Sequence, residues 1–222
     1  MVSNQKIEDL KQAAVDSLKN PGKGKEMPKV KEEIKPILFL FRHTETTDNV
    51  GRIFSGRRDP HLTEQGKIQA QELAQKLKNK KIDLFISPPL YRCSETLEPL
   101  LSYFPNIPYL KKEELVERDY GQLTGLNKLE MMEKYPQEAV LWRRSWDVAP
   151  PKGESIKQVW ESRIKKFCIW LKEKIKEEKI NVAYCGTNNT VRLIRMYFEK
   201  ITNEEMLTLE NSFGDYASYS FF

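Results

Sequence analysis

Histidine and cysteine are both scarce in this chain of 222 residues, which contains two histidines and three cysteines. Cys93, Cys168 and Cys185 are widely spaced and odd in number, so they predict neither a disulfide framework nor a zinc-type pair. This usage is typical of a reducing compartment. Any chemistry that depends on an imidazole must use His43 or His61.

Long hydrophobic runs are also missing. The apolar stretches are short and interrupted, far below the roughly 20 residues that a membrane-spanning helix needs. The first twenty residues lack the apolar region of a secretory signal, so the sequence predicts a cytoplasmic protein without a membrane partner. The net charge of +5 is modest, and binding to nucleic acid would need basic residues clustered on one face. A nucleic-acid module is therefore the weakest functional alternative.

Residues 1–34 are predicted to be an appendage to the rest of the chain. Apolar residues near helical spacing predict a short amphipathic helix over residues 5–19; they are Ile7, Leu10, Ala14 and Leu18. Residues 20–33 are rich in proline, glycine and charge, which is typical of a linker. We expect a loosely packed tail, followed by one domain over residues 35–222.

Strands and helices alternate in the predicted domain. Apolar runs predict strands at 36–42, 82–87, 107–110 and 180–185, and alternation predicts an edge strand at 216–222. Helical patterns cover 63–79, the segment after Pro88-Pro89, 127–146, 154–178, and the segment from the fourth strand to about residue 209. Repeated strand–helix units predict a three-layer α/β/α fold with a mostly parallel sheet.

Polar residues follow each of the first four predicted strands. They are Arg42 and His43 after the first, Arg92 after the second, Glu117 after the third, and Thr187 with Asn188 and Asn189 after the fourth. In open α/β sheets, ligands bind beyond the carboxyl ends of the strands. We therefore expect these residues to converge on one site.

The residue types in this set favour phosphate chemistry. Arginine binds phosphate with a planar fork of donors, and a neutral imidazole between Arg42 and Arg92 can attack phosphorus in line. Nearby cations lower the pKa of His43 and keep it nucleophilic at neutral pH. Glu117 is placed to give a proton to the leaving alkoxide. The arginines supply the electrostatic stabilisation, so no metal is expected.

The segment FRHTETTDN resembles the Arg-His-Gly-Glu-Thr signature of the histidine phosphatase superfamily, also called the phosphoglycerate mutase-like family. The similarity covers residues 36–222 in collinear order, through SGRRDPHLTEQGKIQA, SPPLYRCSET, LVERDYGQLTGLNK, EAVLWRRSWDVAPP and CGTNNTVR. It implies a phosphoglycerate mutase-like fold. It also implies that His43 is the phosphorylated nucleophile, Arg42 and Arg92 clamp the phosphate, and Glu117 is the general acid and base.

The resemblance further implies substrate contacts. Asn49 and Ser55 fall at positions that line the phosphate pocket. A second set matches mutase-type positions that bind the carboxylate and second phosphate of a phosphoglycerate: Tyr120, Lys128, Arg143 and Arg144. For the two adjacent arginines, a solvated surface remains the alternative. LVERDYGQLTGLNK resembles the mutases and PPKGESIKQV the phosphatases, so both activities stay open. A mutase would use a bisphosphoglycerate primer, and no other cofactor is expected.

The chain departs from the family pattern beside the nucleophile and at the second histidine. Thr44 replaces a glycine, Thr187 replaces the second histidine, and Asn188 replaces another common glycine. His61 is the remaining histidine that could stand in for the missing imidazole. We expect the Thr187 hydroxyl and the backbone N–H groups after Asn188 to contact the phosphate instead.

These features predict phosphoryl transfer on a small phosphomonoester through a phosphohistidine at His43. The alternative, prompted by Thr187, is an attenuated pseudoenzyme that binds a phosphorylated ligand in a regulatory role. The expected partner is a small phosphorylated metabolite, and the chain is compatible with a homodimer.

Overall fold

The computed structural model describes residues 4–24, 26–31 and 36–221, with only the backbone of residues 4–7. Within this part of the chain, a five-stranded sheet forms the centre of the molecule. Its strands are β1 (Ile37–Arg42), β2 (Leu84–Ser87), β3 (Tyr109–Lys111), β4 (Val182–Gly186) and β5 (Tyr216–Ser220). They lie in the order β3-β2-β4-β1-β5, and only the edge strand β5 is antiparallel to its neighbour.

The sheet is buried on both faces, as the continuous apolar run of β1 predicts. Leu38 and Leu40 of β1 contribute to one hydrophobic cluster, whereas Phe39 and Phe41 contribute to the other.

The helices are α1 (Asn4–Lys19), α2 (Thr47–Val50), α3 (Glu64–Leu77), α4 (Tyr91–Leu101), α5 (Lys128–Lys134), α6 (Glu138–Arg144), α7 (Ile156–Val159), α8 (Lys165–Glu178), α9 (Asn188–Glu199) and α10 (Asn203–Thr208). Apolar residues of α8 and α9 belong to the first cluster and those of α3 and α4 to the second, so the predicted three-layer fold is confirmed.

Two helical predictions differ in detail from the structure. The helix predicted over 127–146 is wrong as one element, because α5 ends before Tyr135 and α6 begins only at Glu138. The proline at position 136 disfavours helical backbone at Tyr135, whose ψ is 70°. The segment predicted over 154–178 is helical from Ile156 to Glu178, with one wider π turn between α7 and α8.

The expectation of a loosely packed N-terminal tail is wrong. The predicted helix is present as α1, but Leu10, Ala14 and Leu18 are buried, and α1 packs against α6. Arg143 of α6 donates from Nη1 to the carbonyl oxygen of Ala14 at 3.1 Å and from Nη2 to Ser17 Oγ at 2.9 Å. The side chain of residue 7 and the predicted domain boundary at 34/35 lie outside the described residues.

The predicted linker also packs on the fold. The backbone N–H of Ser218 in β5 donates to the carbonyl oxygen of Pro28 at 2.8 Å, and the N–H of Val30 donates to Ser218 Oγ at 2.9 Å. Met27 is buried. These contacts cover an edge strand that would otherwise expose unpaired backbone groups. Among the residues described, no helix combines the length and apolar content that a membrane crossing requires.

Replacing Leu10 with alanine tests whether α1 is docked. Because Leu10 is buried in the first hydrophobic cluster, we expect Leu10→Ala to lower the free energy of unfolding by about 2–4 kcal/mol. Lys11→Ala on the same helix is the matched control, since Lys11 is exposed and pairs only with a surface glutamate among the described residues; its expected effect is below about 1 kcal/mol. Equal values for both variants in urea titrations would contradict the docking of α1.

Candidate active site

One cavity, with a volume of about 100 Å³, lies beyond the carboxyl ends of the parallel strands. Eleven residues from the sequence-based set line it: Arg42, His43, Asn49, Ser55, Arg92, Glu117, Tyr120, Lys128, Arg143, Arg144 and Asn188. The structure therefore brings together every predicted site residue except Thr187. The functional roles assigned to them stay predictions.

His43 lies at the end of β1 with a fixed ring orientation. Its Nδ1 is 2.7 Å from the carbonyl oxygen of Thr44. A carbonyl oxygen only accepts hydrogen bonds, so Nδ1 carries the proton and Nε2 of the neutral ring carries the lone pair. Thr44 is buried and is held by Thr96, whose Oγ1 accepts from the Thr44 N–H at 3.0 Å. Both bonds use backbone atoms of residue 44, and the threonine that replaces the expected glycine adds a contact between its Oγ1 and Thr96 Oγ1 at 3.2 Å.

Burial and charge together keep the His43 ring neutral. Burial is the larger cause that lowers its pKa well below 6.5, and the positive charges of Arg42 and Arg92 lower the pKa further. From the sequence, only the cations were predicted to lower the pKa of His43. Burial of the ring depends on tertiary packing, which the local sequence does not reveal. A neutral imidazole with a free Nε2 is the form that can attack phosphorus.

Three arginines of the cavity carry unpaired buried donors. The Nε atoms of Arg42, Arg92 and Arg192 have no hydrogen-bond partner among the described residues. Arg92 is held in place by its other nitrogens, which donate to the carbonyl oxygens of Arg58 at 2.5 Å and Gly56 at 3.1 Å. Buried donors of this kind normally find a partner, and a phosphate group would supply it.

Glu117 is positioned by the start of α9. Its Oε1 accepts from Asn189 Nδ2 at 3.0 Å and from the Arg118 N–H at 2.7 Å, and its Oε2 accepts from the Asn189 N–H at 3.3 Å. Asn189 Nδ2 also lies 3.3 Å from the hydroxyl of Tyr120. A carboxyl group held in this way at the cavity wall can give a proton to a leaving group and take one from water.

Thr187 is not among the residues that line the cavity, and the phosphate contact expected of its side chain stays a prediction. It is the N-cap residue of α9, and its Oγ1 is 3.0 Å from Thr190 Oγ1. Thr190 Oγ1 also accepts from the Thr187 backbone N–H at 3.1 Å. The Thr187 hydroxyl therefore already has a partner within the protein at the start of α9.

His61 does not line the cavity, so it does not stand in for the missing imidazole. It is exposed, its Nδ1 lies 2.5 Å from Glu95 Oε1, and its ring stacks on Tyr91 with centroids 5.1 Å apart.

Residues 17–22, here called the N-terminal wall, form one side of the cavity. Gly22 has a φ of +67°, and a Cβ atom there would lie 2.0 Å from the ring of Phe213. The Phe213 N–H donates to the carbonyl oxygen of Gly22 at 2.9 Å, and the same ring lies 4.5 Å from the Arg42 guanidinium. No local pattern predicts this wall, because the composition of the segment is typical of a linker.

The cations at the far end of the cavity already have partners. Arg143 is bonded to α1, and the Lys128 ammonium donates to the carbonyl oxygen of Ile53 at 2.6 Å. Burial, then the charges of Arg143 and Arg42, lower the pKa of Lys128 to about 7. The surface alternative for the two adjacent arginines is excluded, since both are buried.

Glu210 is the main lining residue that the sequence analysis missed. Its Oε1 accepts from Arg144 Nη2 and, at 2.6 Å, from Arg192 Nη2. Burial by itself would raise the pKa of this carboxyl, but Arg192, Arg144 and Arg42 hold it at about 2. Nothing in the local sequence links Glu210 to these arginines. Asn189, which was expected to converge on the site, also lines the cavity, and further lining residues outside the predicted set are Arg52, Gly56 and Arg192.

Comparison with known proteins identifies the family to which this chain belongs. The model of the histidine phosphatase superfamily, branch 1, matches residues 38–222, and the chain belongs to this superfamily. The resemblance found in the sequence is confirmed, as are the fold and the prediction of an enzyme of this superfamily. The matched segment begins one residue into β1 and leaves the N-terminal wall outside.

The relatives include both mutases and phosphatases. A 2,3-bisphosphoglycerate-dependent phosphoglycerate mutase of Parvibaculum lavamentivorans is 37% identical over 184 residues, covering 80% of this chain and 87% of the relative. The crystal structure of the α-ribazole phosphatase from Shigella flexneri is 26% identical, with a TM-score of 0.71 over 82% of this chain and 89% of that one. A mycobacterial glucosyl-3-phosphoglycerate phosphatase bound to VO3 shares the fold, with a TM-score of 0.73 at 22% identity over 84% of this chain and 93% of that one.

The lowered pKa of His43 predicts a loss of stability in mild acid. Below the ordinary histidine pKa of about 6.5, the unfolded chain binds a proton that the folded chain excludes. This contribution to stability is complete above pH 6.5, and below it the free energy of unfolding falls by up to about 1.4 kcal/mol per pH unit. Urea titrations between about pH 7.5 and 5.5 should show this slope, and His43→Gln should reduce it. Identical slopes for the two proteins would contradict the buried neutral ring.

The hydroxyl contact between Thr187 and Thr190 predicts which substitutions position 187 tolerates. Thr187→Ser keeps the hydroxyl and should leave the free energy of unfolding nearly unchanged. Thr187→Val removes the hydroxyl and takes one partner from the buried Thr190 hydroxyl, so it should lower the free energy of unfolding by about 1 kcal/mol. Thermal unfolding of both variants tests this, and equal stability of the serine and valine variants would contradict a stabilising hydroxyl contact.

Proposed function

We propose that this protein hydrolyses a small phosphomonoester through a phosphohistidine at His43. The observation that carries the proposal is the hydrogen bond from His43 Nδ1 to Thr44, which leaves Nε2 unprotonated in a cavity with the unpaired guanidinium donors of Arg42 and Arg92. A nucleophile and an anion clamp at one point are what phosphoryl transfer requires.

In the first step, the Arg42 and Arg92 guanidinium groups bind the phosphoryl oxygens. Nε2 of His43 attacks phosphorus as the bond to the ester oxygen breaks. Glu117 gives its proton to the departing alkoxide, which leaves as an alcohol. In the second step, the Glu117 carboxylate takes a proton from a water molecule, the resulting oxygen attacks the phosphohistidine, and inorganic phosphate is released with His43 restored.

Phosphoglycerate mutase activity is the second candidate, and it is favoured by the names of the relatives at 33–37% identity. In that reaction the phosphoryl group passes to a hydroxyl of the substrate instead of water, and a bisphosphoglycerate serves as primer. Either reaction takes a small phosphorylated metabolite as partner. A cytoplasmic location is part of the proposal, supported by three buried cysteines that are all free thiols. A homodimer remains a prediction.

Trapping the phosphoenzyme tests the proposal directly. Rapid quenching with ³²P-labelled glycerol 3-phosphate or 3-phosphoglycerate should yield an acid-labile, base-stable label in the wild-type protein. His43→Ala should abolish the label, and His61→Ala, the matched control on the other histidine, should retain it. Glu117→Gln should slow turnover by about 10²–10⁴-fold. A label that survives in His43→Ala would refute the assignment of the nucleophile.

Product analysis then distinguishes phosphatase activity from mutase activity. With 3-phosphoglycerate and a trace of 2,3-bisphosphoglycerate, release of inorganic phosphate identifies a phosphatase and formation of 2-phosphoglycerate identifies a mutase. Absence of both products and of the labelled enzyme would favour the regulatory pseudoenzyme.

A further inference from the structure

We propose that Glu210 selects the substrate by charge, so that the site favours phosphomonoesters whose non-reacting end carries no negative charge. This inference rests on the proposed function and narrows its substrate class. It concerns the part of the cavity that Glu210 forms with Arg144 and Arg192.

The Glu210 carboxylate fills the place where a second anion would bind. Its Oε1 accepts hydrogen bonds from both Arg144 and Arg192, and its side chain is 15% exposed. All three residues line the cavity. A carboxylate that bridges two guanidinium groups satisfies the same donors that a carboxylate or second phosphate of a substrate would use.

The other cations at this end are engaged as well. Arg143 donates to Ala14 and Ser17 of α1, and the Lys128 ammonium donates to Ile53. The unpaired donors of Arg42 and Arg92 remain for the reacting phosphate. A substrate with a second negative charge would have to displace Glu210 from two arginines, and it would face the repulsion of that carboxylate.

The backbone on both sides of Glu210 is held in place, so the two arginines can be vacated only by rotation of the Glu210 side chain itself. Asn211 is fully buried; its Oδ1 accepts from Arg195 Nη1 at 3.0 Å, and its Nδ2 donates to Asn188 Oδ1 at 3.1 Å. On the other side, a Cβ atom at Gly24 would lie 2.2 Å from the Glu210 carbonyl oxygen. The N-terminal segment therefore packs directly on the Glu210 backbone.

The test compares two ligands of similar size that differ at the non-reacting end. Glycerol 3-phosphate ends in a hydroxymethyl group and 3-phosphoglycerate ends in a carboxylate. Their dissociation constants are measured by isothermal titration calorimetry on the full chain, in a His43→Gln background that prevents turnover. With Glu210 present, we expect glycerol 3-phosphate to bind more tightly.

Glu210→Gln keeps the size of the side chain and removes its charge. We expect this substitution to shift the ratio of the two dissociation constants by about tenfold in favour of 3-phosphoglycerate, because Arg144 and Arg192 then lack a carboxylate partner. Glu199→Gln is the matched control. Glu199 also pairs with a buried arginine, Arg195 at 2.7 Å, but it does not line the cavity, so its ratio should match that of the background protein.

Three results would overturn the inference: a ratio that changes less than twofold in Glu210→Gln, an equal shift in Glu199→Gln, or no binding of either ligand. If Glu210→Gln does not fold, the His43→Gln protein tests the inference by itself. A tenfold preference of that protein for 3-phosphoglycerate would contradict the inference. If Glu210→Gln shifts the ratio of the dissociation constants tenfold but the labelling experiment detects no phosphohistidine, the proposed reaction is refuted. Charge selection by Glu210 is supported in that case.

Discussion

At the end of β1, the Nδ1–H group of His43 donates to the carbonyl oxygen of Thr44, and the backbone that presents this oxygen is held by Thr96. The lone pair on Nε2 and the direction of the ring depend on this bond, whereas the neutrality of the ring comes from its burial and from the charges of Arg42 and Arg92. It requires that the parallel strands β1 and β4 end together and that α4 carry Thr96 to the same place. The fold thus orients Nε2 of His43 before any substrate binds.

The rest of the site is a balance between buried cations and two carboxylates. Arg144 and Arg192 share Glu210 through their Nη2 atoms, whereas Nε of Arg42, Arg92 and Arg192 has no partner among the described residues. Pairing of this kind reduces the repulsion among buried guanidinium groups, which would otherwise oppose folding. Glu117 stays separate from these pairs, because Asn189 and the backbone of α9 hold it. The two carboxylates therefore serve different purposes in one cavity.

Local sequence patterns predicted the strands, the three layers and the convergence of His43, Arg42, Arg92 and Glu117, since strand ends in a parallel sheet meet at one edge. They could not predict Glu210, whose partners Arg144 and Arg192 are brought to it only by tertiary packing. They also could not show that the Thr187 hydroxyl contacts Thr190 at the start of α9, because that contact and a phosphate contact would use the same hydroxyl. The docking of α1 was also missed: its apolar stripe gives a helix, but a stripe alone does not say what it packs against.

The N-terminal wall has a consequence for how this protein can change over time. Ser17, Leu18, Pro21 and Gly22 lie outside the segment 38–222 that matches the superfamily, yet they line the cavity together with Arg42 and His43. Ser17 and Leu18 belong to α1, so the packing of α1 on α6 also builds this side of the cavity. A mutation that weakens this packing therefore acts on the shape of the cavity as well as on folding, and selection on one property constrains the other.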